Sequence, residues 1–214
     1  MSKFSLSDLS LLRFLASQLQ KPRGNFGKLL MTKLFNFGNA QLINATLISM
    51  DLHADDCYLD VGVASGKSIK IASSWITTGS LYGIDYSSEM IEYCKKNFPH
   101  SRCHFVHTDA AHLPFADCSF SKISTINTIY FWENPMEMLL EIRRVLKSSG
   151  TFALSFSGKA KMNKFSAVTK HGFFIYDGEQ IETLMVKAGF SEIHRQDFSG
   201  KFIVPGDHII IAKK

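Results

Sequence analysis

The sequence predicts an α/β protein in which helices cover both faces of a mainly parallel sheet. From residue 56 onward, short apolar runs alternate with longer amphipathic stretches. Strands separated by helices in this rhythm imply parallel pairing through right-handed crossovers. The last two apolar runs stand close together around Pro205 and Gly206, which indicates an antiparallel hairpin that closes the sheet.

After residue 56, seven segments have the length and apolar content of strands, and four segments between them have the periodicity of helices. The predicted strands span residues 57–61, 80–84, 103–107, 123–127, 151–156, 190–198 and 208–212. The predicted helices of this part span residues 67–75, 87–97, 135–146 and 178–188. With 214 residues and 45% hydrophobic content, the chain can bury one substantial core.

The residues before the first strand are predicted to be helical. Apolar side chains recur at helical spacing over residues 5–20, and helices are also expected at 27–37 and 39–50. We therefore predict an N-terminal helical cap over residues 1–53 and a core over residues 54–214. The apolar stripe of the cap is expected to pack on the core rather than lie on a membrane, because Asp8 and a modest basic count give little attraction to anionic lipid.

Charge and cysteine usage favour a protein of the reducing cytoplasm. The net charge of +5 is spread among 19 acidic residues, so it permits a nucleic-acid partner without indicating one. The cysteines form no CxxC pair, which makes a disulfide framework or a structural zinc site an unsupported interpretation. No signal-peptide core or membrane-length apolar segment is present in the sequence, and we expect no stable membrane association.

The stretch YLDVGVASGKSIK, residues 58–70, has the pattern of a strand that turns into a helix over a ligand. Gly62 and Gly66 would let the backbone pass close to that ligand, and a helix starting near Gly66 offers N–H groups to an anion. The dinucleotide-binding pattern requires glycine where this chain has Ala64 and Lys67. Ala64 is tolerable there if its backbone dihedrals lie in an ordinary region.

Asp60 argues against a dinucleotide at this turn. A pyrophosphate held at the helix start would be repelled by the nearby carboxylate, whereas a ligand with an ammonium group would be attracted. We therefore predict a zwitterionic or cationic ligand. The alternative, that Asp60 only caps the turn, stays open.

Polar side chains also follow the next three predicted strands. Asp85 can accept hydrogen bonds from both hydroxyls of a ribose, and Tyr86 or Met90 can pack on a base. Asp109 can accept from an exocyclic amino group while the backbone of Ala110 faces the ring. Each residue alone could be a helix cap or turn residue, but four polar residues at the same end of four strands, counting Asn127 and Asp60, are hard to explain by capping.

With these residues in place, the chain resembles the class I methyltransferases that use S-adenosylmethionine (AdoMet). The resemblance covers about residues 56–214 and rests on LDVGVASGK, GIDYSSEM, DAAHLPF and EIRRVLKSSG, which stand in the family's order. It implies a Rossmann-like, doubly wound, seven-stranded sheet of order 3-2-1-4-5-7-6 with strand 7 antiparallel. It also implies AdoMet as the cofactor, which carries an ammonium and a carboxylate but no phosphate.

The resemblance implies a role for each residue of the rim. The methionine part would lie near Asp60, Gly62, Ala64 and Gly66, with Asn127 close to the same end. The ribose would lie on Asp85, and the adenine beside Asp109 and Ala110. The family usually has glycine at the position of Ala64, which is the departure in this chain.

Methyl transfer from a sulfonium is an in-line displacement, so positioning the acceptor can supply much of the catalysis. A general base is required only if the acceptor must lose a proton. Tyr130 and His171 are the candidates, although a solvated loop residue is the favoured interpretation of His171. The segment 127–130 keeps the Asn and Tyr of the Asn-Pro-Pro-Tyr motif of amino-group methyltransferases but neither proline, which disfavours that chemistry.

Aromatic residues are the candidates for the acceptor pocket, with simple core packing as the alternative. They are Tyr130, Phe131, Trp132, Phe173 and Phe174. No metal site is predicted, because among the clustered histidines residues 104 and 107 would point to opposite faces of a strand.

The sequence thus predicts an AdoMet-dependent methyltransferase that acts on a small molecule. A short cap without an added recognition domain favours a small acceptor over a macromolecule, and no nucleic-acid partner is expected. An RNA methyltransferase, a non-catalytic AdoMet-binding protein and, least, an NAD-linked enzyme are the alternatives.

Overall fold

The structure is a computed structural model that describes residues 40–165, 173–199 and 206–214. The helices predicted at 5–20 and 27–37, and His171, lie outside these residues. The described helices are α1 (Ala40–Ser49), α2 (Lys67–Ala72), α3 (Ser88–Asn97), α4 (Pro135–Val145), α5 (Lys159–Met162) and α6 (Gly178–Lys187). Single 3-10 turns occupy Ile129–Phe131 and Asn163–Phe165. No helix among the described residues is both long enough and apolar enough to span a bilayer.

The predicted sheet is confirmed in strand number, order and direction. Its strands are β1 (Cys57–Val61), β2 (Ser80–Asp85), β3 (Cys103–His107), β4 (Phe120–Ile126), β5 (Leu146–Ser157), β6 (Ser191–Phe198) and β7 (Asp207–Lys213). They pair in the order β3-β2-β1-β4-β5-β7-β6. β7 runs antiparallel to both of its neighbours, while the other pairs are parallel.

The largest boundary error concerns β5, which begins at Leu146 rather than at residue 151. Leu146 pairs with Phe120 of β4, and both side chains are buried. The pairing shifts register before Lys122 meets Thr151. The intervening residues 147–149 are exposed and polar, so the sequence carries no apolar signal for this extension of the strand.

Parallel pairing aligns the carboxyl ends of the central strands. Val61 at the end of β1 lies beside Ile84 of β2 and Thr125 of β4. Ile126 at the end of β4 lies beside Ser155 of β5. The loops that follow these strands therefore meet at one rim of the sheet, which is where open α/β sheets bind ligands.

The sheet is covered on both faces by apolar clusters. One cluster joins α4 and α6 to the sheet through residues such as Leu139, Ile181 and Phe156. The other joins α1, α2 and α3 through residues such as Leu47 and Ile69. Each buried aliphatic or aromatic side chain stabilises the fold by about 1.5–3 kcal/mol, so both layers hold the sheet rigid beneath its rim.

Helix α1 packs directly on the sheet although it lies in the range assigned to the cap. The buried Thr46 hydroxyl shares a 2.6 Å hydrogen bond with the Ser155 hydroxyl of β5. Leu47 and Met50 are each 1% exposed and belong to the second apolar cluster. The division of the chain at residue 53 stays a prediction.

A buried ion pair fixes the start of β7. The Lys161 ammonium lies 2.7 Å from both carboxylate oxygens of Asp207, and the Ser157 hydroxyl donates to the same carboxylate at 2.6 Å. The two charged side chains are only 13% and 3% exposed. Because an unpaired buried charge is costly, each residue depends on its partner.

We expect Asp207→Ala to lower the free energy of unfolding by about 3 kcal/mol, because it leaves the Lys161 ammonium largely buried without its carboxylate. Urea denaturation measures the change. As a control, Asp197→Ala removes a carboxylate that is 75% exposed beside His208 and should shift stability by no more than about 0.5 kcal/mol. Equal stabilities of the two variants would contradict the role assigned to the buried pair.

Candidate functional site

The loop after β1 crosses the carboxyl end of β2. The N–H groups of Gly62 and Val63 donate to the Ile84 carbonyl at 2.9 and 2.8 Å. Gly62 has φ +83, and a Cβ there would collide with the Thr128 methyl group beyond β4. Gly66 has φ +74, and a Cβ there would collide with the Phe98 ring. Both positions therefore require glycine, and the loop is held tightly between β2 and β4.

Ala64 does not meet the condition of ordinary backbone dihedrals, because its φ is +46. The physical reason is that the loop must turn its N–H group toward β2, where Ala64 donates to Asp85 Oδ2 at 2.9 Å. The Cys94 thiol donates to the Ala64 carbonyl at 3.3 Å from below. Ala64 thus keeps a conformation that glycine adopts at less cost.

Asp85 lies half-buried at the end of β2. Its Oδ2 accepts from Ala64, and its Oδ1 accepts from the Ser87 N–H at 2.9 Å. Burial raises the pKa of Asp85, and these backbone hydrogen bonds oppose the rise. A carboxylate has about four acceptor positions, so Asp85 retains capacity for ligand hydroxyls.

Asp60 lies beneath the loop rather than on its surface, with 3% exposure. Its Oδ1 accepts from the Ser124 hydroxyl at 3.2 Å, and its Oδ2 accepts from the Ser68 hydroxyl. Tyr58 in turn shares a 2.7 Å hydrogen bond with Ser124. Burial raises the pKa of Asp60 to about 6. In this position both carboxylate oxygens of Asp60 accept from serine hydroxyls. The role of Asp60 toward a ligand ammonium stays a prediction.

The residues predicted at the base end of the ligand differ in exposure. Tyr86 is 57% exposed, whereas Met90 is a buried residue of α3 and is 2% exposed. Of these two side chains, Tyr86 is therefore the one that is available at the rim. Asp109 is exposed, and its Oδ1 accepts from the Ala111 N–H at 3.0 Å. Ala110, the residue after Asp109, is half-buried.

Asn127 follows β4 with φ +58, and its N–H donates to the Ser155 carbonyl at 2.8 Å. Its side-chain oxygen accepts from the Tyr130 hydroxyl at 2.8 Å and from the Ser157 N–H at 3.2 Å. Tyr130 is 4% exposed, and burial raises its pKa far above the ordinary value. A phenol that stays protonated cannot act as the general base, so Tyr130 is not suited to that role.

Three of the five aromatic pocket candidates form one cluster. Phe131 and Phe173 have ring centroids 4.9 Å apart, and Tyr130 lies 6.1 Å from Phe173. The Phe174 N–H donates to the Tyr130 carbonyl at 2.8 Å, and its ring is 46% exposed. Trp132 is 4% exposed and belongs to the core, which is the alternative that the sequence left open.

The sequence analysis did not identify Ser68 and Ser124 as the hydroxyl partners of Asp60, or Ser157 as the backbone partner of Asn127. Ser124 is the register neighbour of Asp60 across the β1–β4 pair, so only the strand register identifies it. Ser157 reaches Asn127 in the same way, from β5. Within the described residues, no group of three potential metal ligands is brought together.

Ala64→Gly should raise the free energy of unfolding by about 0.5–1 kcal/mol. Relief of the left-handed strain of about 1–2 kcal/mol outweighs the added freedom of glycine in the unfolded chain. Thermal and urea unfolding test this, with Ala111→Gly as the control, because Ala111 is not among the residues with positive φ. A loss of stability in Ala64→Gly as large as that in the control would refute the strain.

The stability of the protein should fall as the pH rises from about 4 to about 6 through Asp60. The unfolded carboxyl ionises near 3.8 and the folded one near 6, so the folded state binds more protons in this window. The stabilisation is fully present below the window and lost above it, with a magnitude of about 2–3 kcal/mol. Unfolding of wild type and Asp60→Asn across this range should give converging or crossing curves, whereas parallel curves would exclude the shift.

Comparison with known proteins finds similarity to methyltransferases in the central part of the chain. Residues 59–154, from β1 into β5, match the family described as methyltransferase domain. A demethylmenaquinone methyltransferase of Chlamydia pneumoniae is 27% identical over 56% of this chain and 52% of its own length. The chain therefore spans about half the length of that relative. A chloroplastic 2-phytyl-1,4-beta-naphthoquinone methyltransferase of Arabidopsis thaliana is 26% identical over 69% of each protein.

Solved structures show the same fold. The phosphoethanolamine N-methyltransferase 2 of Haemonchus contortus, solved with phosphomonomethylethanolamine and S-adenosylhomocysteine, superposes with a TM-score of 0.74. That match covers 95% of this chain and 60% of the other, at 18% identity. The glycine loop and the acidic strand ends lie in a sheet of the same topology. Residues 59–154 are therefore similar to a methyltransferase domain, and the sheet has the fold that the resemblance to the class I, AdoMet-dependent methyltransferases implies.

Proposed function

We propose that this protein transfers a methyl group from AdoMet to a small-molecule acceptor. The observation that carries the proposal is the half-buried carboxylate of Asp85 at the end of β2, held by the N–H of Ala64 in the adjacent glycine loop. This hydrogen bond joins a carboxylate that can accept from the two hydroxyls of a diol to a loop that passes close over the ends of the strands. Such a rim suits a nucleoside with a small zwitterionic chain.

The residues present fit AdoMet along the rim. Asp85 would accept from the ribose hydroxyls, and the exposed ring of Tyr86 would lie beside the sugar and base. Asp109 is exposed after β3 and would accept from the adenine amino group. The loop between Gly62 and Gly66 would hold the methionine part, with Asn127 across from it.

The chemistry that AdoMet supplies when bound is a methyl group on a sulfonium, already activated for in-line displacement. The task of the protein is then to bind, orient and exclude water. Both core clusters keep the strand ends rigid, and the buried network around Asn127 fixes the floor of the rim. Since the Tyr130 phenol stays protonated, it donates a hydrogen bond and does not remove a proton.

We propose an apolar or aromatic molecule as the acceptor. Phe131 and Phe173 pack together beyond β4, and the ring of the next residue, Phe174, is exposed, which suits an uncharged ring or chain as the acceptor. The names of the two relatives above are those of quinone methyltransferases, which supports the same class of acceptor. The RNA alternative rests on the net charge of +5 alone and is not favoured.

Asp85→Ala should weaken binding of S-adenosylhomocysteine by about 10- to 100-fold, because the ribose hydroxyls lose a charged acceptor worth about 1.5–3 kcal/mol. Isothermal titration calorimetry on the full chain measures the change. Asp117→Ala is the matched control, since Asp117 is an exposed carboxylate whose described partner is Arg144. It should bind like wild type.

A wild-type protein that binds neither AdoMet nor S-adenosylhomocysteine would overturn the proposal. Binding that survives Asp85→Ala unchanged would instead place the ribose elsewhere on the rim. Circular dichroism of both variants separates lost affinity from lost folding.

A further inference from the structure

The side-chain amide of Asn127 has a defined orientation. An amide oxygen and nitrogen look alike in shape, so the assignment must come from the hydrogen-bonding partners. The Ser157 N–H can only donate, and it points at one end of this amide from 3.2 Å. That end is therefore the oxygen, and the NH2 group occupies the other end.

The oxygen is also occupied by a second donor. The buried Tyr130 hydroxyl lies 2.8 Å from it, and burial keeps this phenol protonated and able to donate. The same hydroxyl also accepts from the Ser157 N–H and lies 3.1 Å from the Ser157 carbonyl, but its shortest acceptor contact is the amide oxygen. The two donors therefore meet the two lone pairs of that oxygen. Asn127 thus has no acceptor capacity left on its side-chain oxygen.

The partners of Asn127 are themselves anchored. Ser157 donates through its hydroxyl to Asp207 at 2.6 Å, and Asp207 is held by the Lys161 ammonium. The backbone of Asn127 is fixed by its hydrogen bond to the Ser155 carbonyl. The chain of contacts from the buried ion pair to Asn127 therefore resists a flip of the amide.

The NH2 group lies at the end of the amide that faces away from the Ser157 N–H of β5. No described residue accepts a hydrogen bond from it, although the side chain is half-buried. The next residue, Thr128, packs against Gly62 of the glycine loop. The NH2 group is thus placed at the end of β4, beside the loop that would hold the methionine part.

We infer that Asn127 recognises a hydrogen-bond-accepting oxygen of a bound ligand through its side-chain NH2 group. This inference rests on the proposed function. The oxygen can belong to the methionine carboxylate of the cofactor or to a carbonyl, carboxylate or phenolate of the acceptor. An amine acceptor is disfavoured, because its N–H groups need the amide oxygen that Tyr130 and Ser157 occupy.

Asn127→Asp tests the assignment with little change of shape. The aspartate keeps an oxygen toward Tyr130 and Ser157, and Asp tolerates left-handed dihedrals as Asn does. It replaces the NH2 group by a second, negatively charged oxygen, which repels a ligand oxygen. The control is Asn134→Asp at the exposed start of α4, where the side-chain oxygen accepts from the Glu137 N–H and aspartate caps equally well.

Four probes distinguish the two sources of the oxygen by calorimetry. S-adenosylhomocysteine carries the methionine carboxylate, and methylthioadenosine lacks it. Naphthoate and naphthylmethylamine, titrated into the complex with S-adenosylhomocysteine, offer an acceptor oxygen and an amine on the same ring system. We expect Asn127→Asp to weaken S-adenosylhomocysteine or naphthoate by about tenfold or more, to spare methylthioadenosine, and to leave wild type preferring naphthoate over the amine.

Loss confined to S-adenosylhomocysteine would assign the oxygen to the cofactor, and loss confined to naphthoate would assign it to the acceptor. The inference is overturned if Asn127→Asp binds all probes as wild type does, or if wild type binds the amine more tightly than naphthoate. Failure of wild type to bind either nucleoside would overturn the proposed function itself. The two failures are therefore distinguishable.

Discussion

The hydrogen bond between the Ala64 N–H and the Asp85 carboxylate ties the first loop of the domain to the end of β2. Parallel pairing of β1 with β2 and β4 brings these elements together, and glycine at positions 62 and 66 lets the loop pass between Thr128 and Phe98. Three features depend on this close passage of the loop over the strand ends. They are the position of Asp85, the left-handed backbone of Ala64 and the contact with Thr128. The ligand rim is thus a consequence of strand register.

Asp85 and Asp60 have different roles because their surroundings differ. Asp85 accepts backbone N–H groups at a half-buried strand end and keeps room for a ligand. Asp60 is enclosed by the hydroxyls of Ser68 and Ser124 and supports the loop from below, at a cost in desolvation that burial imposes on its charged form. A similar division is inferred after β4, where the oxygen of Asn127 accepts from Tyr130 and Ser157 and no described residue accepts from its NH2 group.

Much of the fold was predictable, because alternation of short apolar runs with amphipathic stretches depends only on local periodicity. The type of β1 to β7 and of α2, α3, α4 and α6, and their succession along the chain, followed from it. The order of the strands in the sheet followed from the family resemblance, and the short helix α5 was not predicted. The start of β5 did not, since the exposed residues 147–149 carry no strand signal. The left-handed backbone of Ala64 was not predictable for a related reason, because a positive φ in a non-glycine residue is imposed by the loop and its partner Asp85.

The sequence by itself determined the parallel α/β architecture, the glycine turn and the polar residues that end successive strands, because each of these is written in local spacing. The tertiary structure alone decided which atoms of those residues remain available. Ser124 reaches Asp60, and Ser157 reaches Asn127, only across paired strands distant in sequence. Hydrogen-bonding capacity is used up by such neighbours, and no local pattern records them.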